Sequence, residues 1–203
     1  MRLLVCAPMR IEARALRAGL PAGALRRTGP GPRRSARRAA QLATEHFEAL
    51  AVAGLGGGLD PAARSGRIVV ASEVRGARGT FPCPLAGALV DELSRRGLPV
   101  TCGPVLTTDH LVRGRERAEL ARTGALAVDT ESAELAAAAA GRPLAVARVL
   151  LDTPRDPLLL APGHLRRALR LLRQLSPSLD RWSRSVPRVG EDVPTAAPGE
   201  GSP

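Results

Sequence analysis

Three acidic side chains stand where apolar runs of this chain stop. Glu12 follows the run Leu3–Ala7, Glu131 lies in Val128-Asp129-Thr130-Glu131-Ser132, and Asp152 closes Leu144–Leu151. A fourth run, Ala49–Ala53, passes into Gly54-Leu55-Gly56-Gly57-Gly58-Leu59. Carboxylates in such places can serve as general acid and base, and a glycine loop lets backbone N–H groups approach a ligand closely. Each feature also has a plainer reading. Glu12 and Glu131 at helix starts would serve the helix dipole, Asp152 would cap a turn, and the glycines would make a tight turn. Asp152 is flanked by Leu150 and Leu151, a setting that favours the neutral carboxylic acid. The glycine pattern is not GxGxxG and no GKS or GKT follows, which excludes a nicotinamide dinucleotide fingerprint and a P-loop. His46, His110 and His164 have no spacing suited to a metal, so neither metal nor cofactor is expected.

Strands and helices must alternate to place these residues together. Strands are expected at Arg2–Ala7, Ala49–Ala53, Arg67–Val74, Pro99–Leu106, Gly124–Val128 and Leu144–Leu151. Helical spacing marks Arg10–Ala18, Arg33–Thr44, Leu85–Arg96 and Glu131–Ala140. A last amphipathic helix begins at Pro162, with Leu165, Leu169 and Leu172 on one face. This alternation implies an α/β fold, a single domain with a central mixed, mostly parallel sheet flanked by helices. Ligands of such sheets bind beyond the carboxyl ends of the strands, where the acids and glycines lie. The domain is expected over residues 1–185, and the Pro-, Gly- and Ser-rich stretch 186–203 is expected to be a disordered tail.

The net charge of +11 comes from 30 basic residues, all of them Arg, with no Lys, Tyr or Asn anywhere in the 203 residues. Ala, Arg, Gly, Pro and Leu dominate, as GC-rich codons favour, so the excess Arg is read mainly as codon bias on solvated helix faces. A pI near 11.5 keeps open a non-catalytic alternative, an Arg-rich nucleic-acid-binding or degenerate scaffold protein. Aromatic residues make up only 1% of the chain, too few to stack bases, so nucleic acid is not the expected partner. No apolar run is long enough to span a membrane and the first residues do not read as a secretory signal, so a cytoplasmic location is expected. Cys6, Cys83 and Cys102 form no CxxC pair and read as small buried hydrophobes.

Taken in order, these stretches resemble the nucleoside phosphorylase superfamily, in particular the nucleosidases that cleave methylthioadenosine and adenosylhomocysteine. The resemblance rests on the opening strand through Met9 and Glu12, on Val52–Leu59 followed by Gly66-Arg67-Ile68-Val69-Val70, on Val128–Ala133, and on Ala147–Asp152. It implies cleavage of the N-glycosidic bond of an adenosine-type nucleoside by water, releasing adenine. Asp152 takes the place of the general acid at purine N7, and Glu12 that of the residue that activates water. Glu131 takes the place of the acid that binds the ribose hydroxyls, with Asp129, Thr130, Gly56, Gly57 and Thr107 lining the substrate. A homodimer or higher homo-oligomer is implied as well.

The chain departs from that pattern in the stretch between Val74 and Pro99, which is shorter than in the nucleosidases, and at two residues. Thr130 replaces a Met that packs under the ribose, and Leu151 replaces a Ser before the acid. A subfamily of hopanoid biosynthesis, thought to remove adenine from adenosylhopane, fits better. Its TGxGP-like turn resembles Thr28-Gly29-Pro30-Gly31-Pro32. Arg10 falls near the place where phosphorylases of the superfamily hold phosphate. It therefore keeps open phosphorolysis to base and ribose 1-phosphate, with phosphate as co-substrate.

Overall fold

The computed structural model describes residues 2–156 and 162–187. In chain order the strands are β1 (Leu3–Ala7), β2 (Leu25–Arg27), β3 (Ala49–Gly58), β4 (Ile68–Gly76), β5 (Gly79–Pro82), β6 (Val100–Thr107), β7 (Ala127–Asp129) and β8 (Leu144–Asp152). The helices are α1 (Arg10–Leu16), α2 (Pro32–Leu42), α3 (Ala86–Arg95), α4 (Gly114–Ala121), α5 (Ser132–Ala136) and α6 (Pro162–Ser185). Short 3-10 turns extend α1 over Arg17–Gly19 and α5 over Ala137–Ala139. The expected tail lies outside the described residues from residue 188 onward.

The eight strands form one sheet in which parallel pairings outnumber antiparallel ones, five to three. β3 pairs with both β8 and β7, and β4 pairs with both β8 and β6; since β6 also pairs with β7, these strands close a ring. The hydrophobic runs explain why. Val5, Cys6, Leu50–Ala53, Ile68, Val70 and Val146 are completely buried, as strands covered on both faces must be.

The glycine run is strand rather than loop. β3 continues through Gly58 because β8 pairs with it on one edge and β7 on the other, with a register shift between Gly56 and Gly57. A strand hydrogen-bonded on both edges holds its glycines extended despite their conformational freedom.

Three elements carry too little periodicity to be read from sequence. β2 is a short edge strand with two Arg, β5 is an exposed hairpin partner of β4, and α4 buries none of its residues. On α6 the buried stripe is Ala168, Leu171, Leu172, Leu175, Leu179 and Trp182, while Leu165 is exposed. Pro177 lies within that helix, and the backbone of Gly19 packs against it so closely that a Cβ would meet its ring at 2.5 Å. Cys6 and Cys83 are buried, which pushes both thiols up to about 12, whereas Cys102 is exposed on β6 rather than buried. Among the described residues no helix is long and apolar enough to cross a membrane.

Candidate active site

Glu12 enters the interior from the first turn of α1. Its Oε2 accepts the Met9 N–H at 2.6 Å, the reciprocal bond of a capping box, and its Oε1 accepts the Leu55 N–H at 2.7 Å. The residue is 1% exposed. Opposite it, Arg148 rises from the middle of β8 with no exposed surface. Gly54 lets the two meet, since a Cβ there would lie 2.6 Å from Arg148 Nη1 and 2.9 Å from Glu12 Oε1.

Arg148 is the hub of a buried charge cluster. Its Nε lies 2.7 Å from Asp129 Oδ2 and its Nη2 lies 3.8 Å from Glu131 Oε2, while Nε and Nη2 both donate to Ser132 Oγ. The Asp129 contact is an ion pair without aligned hydrogen-bond geometry, because Oδ2 receives no hydrogen bond. Burial alone would lower the Arg148 pKa; Asp129, Glu131 and Glu12 more than offset it, and the net shift is upward. The pKa of Glu12 is raised, first by burial and further by Glu131, against the opposing pull of the Leu55 N–H, Arg148 and the Met9 N–H. A buried carboxylate displaced in this direction is a stronger base than an ordinary glutamate.

Asp129 and Thr107 hold the turn that presents Glu131. Asp129 Oδ1 accepts the N–H groups of Glu131 and Ser132 at 3.0 and 2.9 Å, and the Thr107 hydroxyl at 2.9 Å. Thr107 in turn accepts the Ala133 N–H. Glu131 Oε1 accepts the Thr130 hydroxyl at 2.5 Å and the Gly31 N–H at 2.8 Å. That last bond brings the Thr28–Pro32 turn to the cluster, 100 residues away in sequence.

Asp152 ends β8, paired across to Gly57 of β3. Instead of apolar neighbours alone, its carboxylate meets Arg117 of α4, whose Nη2 donates to Oδ2 and also to the Val112 carbonyl at 3.2 Å. Gly57 lies beneath the pair, with its Cβ position 3.3 Å from both Arg117 Nη2 and Asp152 Oδ1. The Asp152 side chain is 22% exposed, so its apolar flanks do not enclose it as the sequence suggested.

The expected site residues therefore gather along β3. Glu12, Glu131 and Asp129 surround Arg148, with Thr130 bonded to Glu131 and Thr107 to Asp129; Gly56 lies against the Arg148 stem and Gly57 against Asp152. Arg10 is exposed on α1 and makes no hydrogen bond or ion pair with any of them. Asp109, two residues after Thr107, is exposed and paired with His110 at 2.6 Å. Two arginines escaped the sequence reading. Arg148 carried a signal, as the single charge inside the apolar run Leu144–Leu151. Arg117 carried none, since Arg113, Arg115 and Arg122 surround it in the chain and only the fold draws it inward. Among the described residues no group of three or more His, Cys, Asp or Glu could hold a metal.

Residues 22–159 match the Phosphorylase superfamily, more than half of the chain. The chain belongs to that superfamily. No curated protein matches it by sequence. Solved structures share its fold across nearly their whole length. An S-adenosylhomocysteine nucleosidase from Streptococcus pyogenes is 20% identical with a TM-score of 0.73, covering 92% of this chain and 98% of its own. A 5′-methylthioadenosine/S-adenosylhomocysteine nucleosidase from Campylobacter jejuni is 12% identical with a TM-score of 0.78, over 92% of this chain and 100% of its own. Futalosine hydrolase of Helicobacter pylori is 16% identical with a TM-score of 0.71, over 89% of this chain and 95% of its own. At these identities the likeness of this phosphorylase-superfamily chain to each of them is one of fold.

Proposed function

We propose that this chain is an enzyme that cleaves the N-glycosidic bond of a purine nucleoside, with water as the nucleophile. The observation that carries the reading is the placement of three acids along β3: Glu12 at Gly54, Glu131 joined to it through Arg148, and Asp152 at Gly57. At about 3.3 Å per strand residue, Gly54 and Gly57 are roughly 10 Å apart, enough for a ribose and a purine ring between the outer acids.

In this arrangement Glu12 takes a proton from water, and the water oxygen bonds to ribose C1′. The C1′–N9 bond breaks and its electron pair leaves with the purine, which Asp152 meets at its imidazole side. The proton withdrawn at Glu12 balances the one the departing base takes up. Glu131 accepts hydrogen bonds from the ribose hydroxyls while Arg148 holds it. Acid–base groups placed this way contribute about 10²- to 10⁴-fold each.

Water is favoured over phosphate because the buried carboxylate of Glu12 would repel a phosphate dianion and the candidate phosphate ligand Arg10 stands outside the cluster. The base is adenine in this reading. The 5′ substituent is apolar in this reading, of the kind adenosylhopane carries, on the strength of the TGxGP-like turn Thr28–Pro32, which hydrogen-bonds to Glu131 through Gly31. Purified protein incubated with adenosine derivatives differing at the 5′ position, with and without phosphate, tests it. Adenine and free sugar in both conditions are expected. Sugar 1-phosphate formed only with phosphate present would replace hydrolysis by phosphorolysis, and no base from any derivative would overturn the reading.

A further inference from the structure

Many arginines of this chain meet acids; on α6 Arg181 pairs with Glu92 and Arg184 with Asp180. Two rows do not. Arg10, Arg14 and Arg17 follow one another at i, i+4 and i+7 along α1 and its 3-10 turn, and Arg166, Arg170 and Arg173 do the same on the first half of α6. All six are exposed, and none is in an ion pair among the described residues. Residues 13–44 and 157–179 contain no Asp or Glu, and the one acid of α1, Glu12, is buried. Codon bias accounts for the number of arginines, not for the absence of acids beside them.

The two rows lie side by side. α1 follows β1 and α6 follows β8, both strands run parallel to β3, and the two helices pack against each other. The Gly19 backbone, which lies against Ser176 and Pro177, sets the helices level: Arg17 stands two residues before that contact on one and Arg173 three before it on the other. Packed helix axes are about 8–10 Å apart and seven helical residues rise about 10 Å, so six cationic side chains spring from a patch of roughly those dimensions. Among the described residues the exposed large apolar side chains are Ile11, Leu111 and Leu165. Two of them, Ile11 at 43% and Leu165 at 37%, adjoin the first arginine of each row.

We propose that the α1–α6 face is a docking surface for an anionic lipid bilayer. Lipid phosphates take the guanidinium groups, while Ile11 and Leu165 enter the boundary between headgroups and acyl chains. A nucleic-acid duplex would answer the charge but has no apolar layer for those two side chains. Glu12 directly follows Ile11, so the docked face adjoins the candidate site. The docking stands on charge and exposure and is independent of the nucleosidase reading.

The experiment sediments the full chain, at about 0.1 M salt, with vesicles of phosphatidylcholine alone and with vesicles in which about a third of the lipid is phosphatidylglycerol. The parent is expected to pellet with the anionic vesicles only, and to be released at about 1 M salt, where charges are screened beyond about 3 Å. An arginine near an anionic surface contributes about a fivefold factor, so the fourfold variant Arg14→Gln, Arg17→Gln, Arg170→Gln, Arg173→Gln is expected to weaken partitioning by about 10²-fold or more. A charge-matched control carries Arg33→Gln, Arg37→Gln, Arg113→Gln and Arg122→Gln, four exposed and unpaired positions on other elements. It is expected to lose less than about 10-fold. Ile11→Ser with Leu165→Ser is expected to weaken vesicle binding by about 10-fold. Circular dichroism checks that each variant keeps its helices. No binding to the anionic vesicles overturns the proposal, as do equal losses in the two fourfold variants. Parent-like vesicle binding without Ile11 and Leu165, or displacement from the vesicles by duplex DNA at equal phosphate concentration, overturns it in favour of a polyanion recognised by charge alone.

Discussion

Glu12 and Arg148 both close on the backbone of Gly54, leaving no room for a methyl group: a Cβ there would stand 2.9 Å from the Glu12 oxygen and 2.6 Å from the Arg148 nitrogen. The glycine of β3 is therefore a condition for bringing a buried acid and a buried base of opposite charge to one strand. Neither side chain can swing away, since Glu12 is tied to two backbone N–H groups and Arg148 to Ser132 and Asp129.

Gly54→Ala is accordingly expected to lower kcat at least about 10-fold and to destabilise the fold by about 1–3 kcal/mol, the cost of overpacking a filled interior. Gly87→Ala is the control. Gly87 lies in α3 with nothing within 4 Å of its Cβ position. An alanine there is expected to add about 0.5–1 kcal/mol of stability with activity unchanged. Denaturant melts and initial rates of both variants check the pair, and equal behaviour of the two would show that the crowding at Gly54 is without consequence.

Arg148→Met removes the only cation paired with Asp129 and Glu131 among the described residues. The methionine fills much of the space but leaves those carboxylates and Glu12 facing one another without compensation. Removing one partner of a buried pair costs about 3–5 kcal/mol, so the midpoint of urea unfolding is expected to fall steeply. Double substitution with Asp129→Asn is expected to recover part of that loss, because it withdraws one of the stranded charges. A double variant no more stable than Arg148→Met would mean that the cluster is not held by charge pairing.

The contrast between Arg148 and Arg117 shows how much of this site the sequence carries. Strands that are buried on both faces announce themselves as apolar runs, so β1, β3, β4 and β8 were legible, and with them the acids at their ends. Arg148 was missed although it left a trace, as a charge that an apolar strand would not tolerate without partners. Arg117 left none, because its burial depends on how the 108–117 segment folds back over Gly57, and nothing local distinguishes it from its exposed neighbours. The glycine run was read as a loop because glycine has no strand preference of its own. Its extended form is imposed by β7 and β8 on its two edges. The surroundings of Asp152 were misread for the same reason: Leu150 and Leu151 adjoin it in sequence, but the group that decides its chemistry comes from α4.

Asp152→Asn is expected to reduce base release by at least about 10²-fold. The side chain is partly exposed, so the fold and its melting temperature are expected to change little. Turnover by this variant at the parent rate would remove Asp152 from the site. The measurement is the initial rate of base release at saturating substrate, with circular dichroism confirming that secondary structure is kept.

The pKa of Glu12 is raised, chiefly by burial, and this fixes the sign of two pH effects. A base must be ionised to accept a proton from water, so kcat is expected to climb as pH rises through the raised value. The acid limb therefore lies above the ordinary glutamate range of about 4.3. Stability runs the other way. Because the folded state holds this proton more tightly than the unfolded chain does, the contribution of Glu12 is fully present below the unfolded pKa. It is lost as pH rises through the folded pKa. Glu12→Gln abolishes both effects: it is expected to lower kcat by about 10²-fold or more and erase that acid limb. It is also expected to gain stability relative to the parent as pH increases across that interval. Unfolding free energies of the two proteins at a series of pH values check the sign, and a difference that shrinks with rising pH would mean that Glu12 is better solvated than its place beside Gly54 and Leu55 requires.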